Sequence, residues 1–138
     1  MSVIYLYHTE GEDFGGLSAG QAVPMLDQFL KMFGGMRACI HPTDADYNKS
    51  ASTSYDTLED AQAAYPDHAW VYLDPTATDK LETFVHPIGD TVYVVGHDAH
   101  GYGDSVLGGT RLKIMNFVGH AIPCLIAAIC DRGSKSWH

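Results

Sequence analysis

Hydrophobic runs divide the chain into alternating strand-like and helix-like segments. Residues 3–7 (Val-Ile-Tyr-Leu-Tyr) form an unbroken aliphatic and aromatic run, the pattern of a strand buried on both faces. A glycine- and acid-rich loop over 9–20 follows. Residues 21–33 then place Val23, Leu26, Phe29, Leu30 and Phe33 at i, i+3, i+4 spacing, one apolar stripe of an amphipathic helix. Pro24 falls in the first turn predicted for this helix, where its missing N–H is harmless, and Gly34-Gly35 supplies the stop. Further strands are predicted over 37–41, 69–73, 91–95 and 111–117, closed in two cases by Pro42 and by Asp74-Pro75. Helices are predicted over 57–64, with Thr57 and Asp60 in capping-box spacing, and in a short piece over 79–84. A last helix over 121–130 is apolar nearly all round, stopped by Asp131-Arg132-Gly133, with 134–138 as a frayed tail. The polar stretch 43–56 reads as a long loop.

Strands alternating with helices predict an α/β fold: a mostly parallel sheet with helices on both faces, in one domain over 1–138. Of the 138 residues, 46% are hydrophobic, enough for a substantial core. The formal net charge of −9 argues against a broad phosphate-gripping surface. A nucleic-acid partner requires the few cations to cluster on one face, or a second subunit to help. The three cysteines share no metal-like spacing and read as buried free thiols, which fits a reducing cytoplasm. No leader pattern and no membrane-length apolar run is present, so a soluble cytoplasmic protein is expected.

Candidate chemistry concentrates in residues 91–103. The strand pattern stops at Gly96, and His97, Asp98 and His100 stand among Gly96, Gly101 and Gly103, which tolerate close approach of a ligand. In α/β folds, ligands bind beyond the carboxyl ends of parallel strands. His97, Asp98, His100 and Asp104 also offer ligand types suited to a transition metal, provided the loop curls around it. The sequence has no P-loop, no Gly-x-Ser-x-Gly elbow and no His-Glu-x-x-His helix; Gly108-Gly109-Thr110 is too short to bind phosphate. Asp44 and Asp46 start like a calcium loop but lack its glycine and closing Glu. His41, His86 and His120 read as local hydrogen-bonding residues, and Trp70 and the strand tyrosines as core.

The order of elements resembles the SPOUT class, in particular the SpoU branch of knotted RNA methyltransferases. The resemblance rests on the helix over 21–33 leading through Phe33-Gly34-Gly35 into a strand. It rests also on Val95-Gly96-His97-Asp98-Ala99-His100-Gly101-Tyr102, a variant of the family's middle motif, preceded by His86-Pro87. Leu112-Lys113-Ile114-Met115-Asn116 and the helix over 121–130 take the places of its last motif.

The resemblance implies a C-terminal trefoil knot. S-adenosylmethionine would lie in it, its adenine held by backbone groups after Leu73, at Gly96 and at Ile114. Gly101 would leave room for the ligand, and Ile122 and Leu125 would close the apolar side. It also implies a homodimer formed through helix one and the last helix, using Leu26, Phe29, Leu30 and Phe33 with Leu125, Ile126 and Ile129. The implied activity is methyl transfer to RNA, such as to a ribose 2′-hydroxyl. Some positions depart from the family. Its Asn and Arg near helix one are matched here by Ser18 and Pro24, its Glu by Asp98, and its Ser-Leu-Asn is missing from 121–125. Asp98 or His100 is then the group to take the acceptor's proton. Of the three arginines, Arg37, Arg111 and Arg132, Arg111 is best placed for transition-state charge. Two alternatives stand beside this reading: a binding module without catalysis, and a metal-dependent enzyme built on the 97–104 loop.

Overall fold

The computed structural model describes residues 2–8, 19–42, 45–49, 51, 53–74, 77–95, 109–113 and 121–136. Six strands form one sheet: β1 (Val3–His8), β2 (Met36–Ile40), β3 (Thr53–Tyr55), β4 (Ala69–Leu73), β5 (Thr91–Val95) and β6 (Thr110–Leu112). Their order is β3-β2-β1-β5-β4-β6, and every pairing is parallel. The helices are α1 (Ala19–Phe33), α2 (Asp46–Lys49), α3 (Leu58–Ala64) and α4 (Ala121–Ser136), with a 3₁₀ turn at Leu81–Thr83.

Strand periodicity sorts the core into two layers. Tyr5, Tyr7, Cys39, Val71, Leu73, Tyr93, Val95 and Leu112 pack against Ala22, Val23 and Leu26 of α1 and Ile122, Leu125, Ala128 and Ile129 of α4. Ile4, Leu6, Ala38, Ile40, Tyr72, Val92 and Val94 pack against Leu58 and Ala61 of α3. Helices therefore cover both faces, and β5 is buried at all five positions. At the start of α3, the Thr57 hydroxyl accepts from the Asp60 N–H at 3.1 Å, as the capping-box spacing predicts.

Several boundaries differ from the sequence reading. α1 begins at Ala19, so Pro24 lies in the second turn, where it removes one intrahelical donor. The polar stretch 43–56 contains α2 and the edge strand β3, paired from Ala38↔Thr53 to Ile40↔Tyr55. β2 ends at Ile40; His41 turns out of the strand with φ 56° and donates its N–H to the Tyr55 carbonyl. α4 does not stop at Asp131-Arg132-Gly133 but runs on to Ser136. Gly133 is accommodated because the Phe33 ring sits where a Cβ would be. β6 is short, and Lys113 extends it by a parallel bridge to Lys80; residues 114–117 of the predicted strand lie outside the described residues.

A buried arginine ties α1 and α2 to the sheet. Arg37, 4% exposed, donates from Nε and Nη2 to the two carboxylate oxygens of Asp27 at 2.8 and 3.2 Å. Its Nη1 donates to the Tyr7 hydroxyl (3.0 Å) and the Tyr47 carbonyl (2.6 Å), while Tyr7 donates to Asn48 Oδ1 (3.2 Å). Burial pushes the Tyr7 hydroxyl up to about 12, against the opposing pull of Arg37. Arg37→Ala removes the donors from this network and should cost on the order of 3 kcal/mol in urea unfolding. A second stability test comes from Gly109, where a Cβ would overlap the Tyr72 ring and come within 3.2 Å of the Trp70 carbonyl. Because Tyr72 is fully buried and stacked on Trp70, Gly109→Ala should lower the unfolding free energy by about 1–3 kcal/mol.

Candidate functional site

The parallel registers bring three strand ends together at the carboxyl edge of the sheet. Leu73 stands opposite Val95 on one side and Leu112 on the other, so β5, β4 and β6 finish level. The strand order reverses where β1 meets β5, with Tyr7 opposite Val95, and that reversal is where α/β sheets open a crevice. Leu73, Val95 and Leu112 are 6%, 4% and 0% exposed and share one apolar cluster with Ile122 and Leu125 at the start of α4. The Asp74 N–H donates to the Leu112 carbonyl at 2.9 Å, which carries the pairing one residue past β4.

Among the expected site residues, Leu73, Ile122 and Leu125 converge on this edge. Ile122 and Leu125 are fully buried core residues, more enclosed than an open pocket wall. Gly96, Asp98, His100, Gly101 and Ile114 lie outside the described residues, as does the 97–104 loop of the metal alternative.

Arg111 lies on β6 opposite Tyr72, with its side chain 48% exposed. Its Nη1 stands 3.6 Å from Oδ2 of the largely buried Asp74, and its own half-exposed side chain leaves the guanidinium able to meet an anion. Arg37 is enclosed in the network described above. Arg132 points the other way, toward the amino edge of the sheet.

There the sequence reading missed a second polar cluster. The His86 ring lies between the Tyr93 hydroxyl (Nδ1, 2.6 Å) and Asp131 Oδ2 (Nε2, 2.6 Å), and Arg132 Nη1 donates to the same hydroxyl at 2.8 Å. Burial raises the Tyr93 hydroxyl above its ordinary range, with Arg132 opposing. Beside the cluster runs a groove of about 1060 Å³, lined by Val3, Tyr5, Phe33, Met36, Phe84 and Ile129 among others. The signal in the sequence was the i, i+4 pair Asp131 and Lys135, 2.9 Å apart in α4, which marks a continuing helix rather than a stop.

The surface apolar residues also differ from the set implied by the resemblance. Leu26, Leu125 and Ile129 face the core, and Phe29, Leu30 and Ile126 are partly buried against it. Phe33 is exposed, in the company of Met25, Met32, Met36, Val85 and Ile88. No described helix is long and apolar enough to cross a membrane.

No protein-family model and no curated protein matches the sequence. Solved structures do match the fold. A candidate RNA methyltransferase from Bacillus anthracis aligns at TM-score 0.65 and 14% identity, over 95% of this chain and 92% of that one. A candidate RNA methyltransferase of the TrmH family from Porphyromonas gingivalis aligns at TM-score 0.70 and 10% identity, over 97% of this chain but only 60% of that one. A third, whose structure concerns 2-OH methylation of C/U34 on tRNA, aligns at TM-score 0.66 and 15% identity over 99% of both chains. The six-stranded parallel sheet and its flanking helices thus share the fold of these solved structures.

Proposed function

We propose that this chain is an S-adenosylmethionine-dependent RNA methyltransferase acting as a homodimer, with its C-terminal segment knotted. The observation that carries the reading is the level finish of β5, β4 and β6, in a fold shared with methyltransferase structures. In this reading the cofactor's adenine meets backbone groups following Leu73, at Gly96 and at Ile114, against the apolar base of Ile122 and Leu125. Gly101 gives the ligand room. A neutral purine suits such a wall, since apolar packing and backbone donors hold it without charge. The similarity to the tRNA 2-OH methylation structure supports a ribose hydroxyl as acceptor. Free thiols at Cys39, Cys124 and Cys130 support a reducing compartment such as the cytoplasm.

In the proposed reaction the chain holds the acceptor oxygen in line with the methyl group and relieves it of its proton. Asp98 or His100 takes that proton. Arg111 offers a half-exposed guanidinium at the sheet's carboxyl edge, available to the charge that develops in the transition state. It serves in place of a helix-one arginine, since α1 contains none.

The same absence favours a second reading, a binding module that retains the pocket without catalysis. Titration calorimetry with S-adenosylmethionine and S-adenosylhomocysteine should give saturable binding, lost in Gly96→Val while the circular dichroism stays native. In a methyl-transfer assay with total RNA, Arg111→Ala should lower the rate about a hundredfold or more. Its stability should stay within about 0.5 kcal/mol of the parent. Cofactor binding with no methylation selects the binding module, and no cofactor binding removes both. Light scattering at micromolar concentration should return twice the mass of one chain.

A further inference from the structure

Residues 80–90, which include the 3₁₀ turn, form a strap leading into β5, laid across the last turns of α4. Its two ends are tied to the sheet, Lys80 by the bridge to Lys113 and Asp90 by bonds from Ser2 and Ala69, and its middle is fastened by one face of that helix. Lys135 Nζ donates to the carbonyls of Leu81 (2.6 Å) and Phe84 (2.8 Å), and Arg132 Nη2 reaches the Gly89 carbonyl at 3.5 Å. The third fastening to α4 is His86, whose side chain is only 6% exposed. The strap's neighbouring side chains Val85 and Ile88 stand out in solvent, 85% and 101% exposed.

The hydrogen-bond directions around His86 favour one arrangement of protons. The Asp131 carboxylate only accepts, so Nε2 carries a hydrogen and donates to Oδ2. Arg132 only donates, so the Tyr93 oxygen accepts from it and turns its own hydrogen toward the ring. Nδ1 must then be the bare acceptor, and the ring is a neutral Nε2–H imidazole. A proton added at Nδ1 would set an N–H donor against the tyrosine O–H. The hydroxyl could not easily turn away, since Tyr93 is fully buried, with Arg132 over its ring and Tyr5 stacked on it at 5.4 Å.

We propose that residues 80–90 are a pH-operated latch: the neutral His86 ring fastens the strap to α4, and protonation of that ring releases it from the groove it walls. The groups facing the ring are Asp131, Arg132 and Lys135 from α4 and Tyr93 from β5, with the Phe84 ring edge-on beside it and Tyr5 of β1 behind Tyr93. Two of the three charges are positive and add to the effect of burial. Burial first, then Lys135 and Arg132, hold His86 below its ordinary 6.5, and Asp131 pulls the other way without prevailing. The sign follows from linkage. A base whose folded value is depressed contributes its full stability above 6.5, and loses it as pH falls from there through the folded value. Release is confined to the strap because β1 and β5 are held by their own ladder.

The test is hydrogen exchange by mass spectrometry on the whole protein, from about pH 7.5 to about pH 5, with each rate divided by its intrinsic value. In the parent, strap amides such as Thr83 and Phe84 should lose protection about tenfold or more across the range, while β1 and β5 amides keep theirs. Imidazole ¹⁵N spectra should show the Nε2–H tautomer near neutrality and a titration midpoint below 6.5. His86→Gln should abolish the step. Asp131→Asn should move the ring's midpoint lower still, since it removes the one neighbour that favours the imidazolium. The latch is overturned by strap protection that stays flat through the ring's titration, by an equal step in His86→Gln, or by β1 and β5 opening in concert with the strap. A ring titrating at or above 6.5 overturns it as well. Should His86→Gln not fold, the direction of the Asp131→Asn shift decides, and an unmoved or raised midpoint counts against the latch.

Discussion

A tyrosine hydroxyl buried beneath the sheet's central strands obliges the fold to deliver partners to it. Tyr93 is fully enclosed in β5, and an unsatisfied hydroxyl there would cost about 1–3 kcal/mol. Its partners come from far apart in the chain, His86 from the strap and Arg132 from the end of α4. Meeting this demand explains why α4 extends past its apolar stretch. The polar residues Asp131, Arg132 and Lys135 continue the helix because each has a bonding partner in residues 81–93. The Tyr5 and Tyr93 rings then stack across the β1–β5 pairing, so the sheet's centre is held by side chains as well as by its ladder.

Parallel strands give the sheet two chemically different ends, and the chain uses them differently. At the carboxyl end the strand tips are apolar, and Arg111 of β6 remains half exposed. At the amino end Arg132 and Lys135 are already bonded to the strap. A net charge of −9 makes the difference consequential, because an anionic partner is repelled by most of the surface. A cation held loosely by Asp74 can turn to a phosphate or a developing alkoxide; a cation bonded to backbone carbonyls and a buried hydroxyl cannot do so without loosening the fold.

Sequence patterns were legible where a segment's own residues decide its state. The runs 3–7, 69–73 and 91–95 are unbroken aliphatic, aromatic and β-branched residues, and all three are interior strands. β3 is Thr-Ser-Tyr, an edge strand whose place comes from Ala38 to Ile40 beside it rather than from any apolar pattern of its own. Gly133 looked like a helix stop because glycine usually is one; only the Phe33 ring, from an element a hundred residues away, explains it. The site divides along the same line. Leu73 is legible as a strand end, but the pairing of Arg111 with Asp74 depends on β6 lying beside β4, which no local pattern encodes.

The pairing of β1 with β5 also bears on how the chain reaches this fold. Val3 stands opposite Thr91, so closing the centre of the sheet joins segments about 90 residues apart, a slow step for a parallel pairing. β1, α1 and β2 can assemble early, since Ile4 pairs with Met36 across a short crossover. Until β5 arrives, the other edge of β1 presents Ile4 to Tyr7 as an unpaired apolar template for any neighbouring strand. The net charge of −9 opposes such pairing, since like-charged chains repel one another.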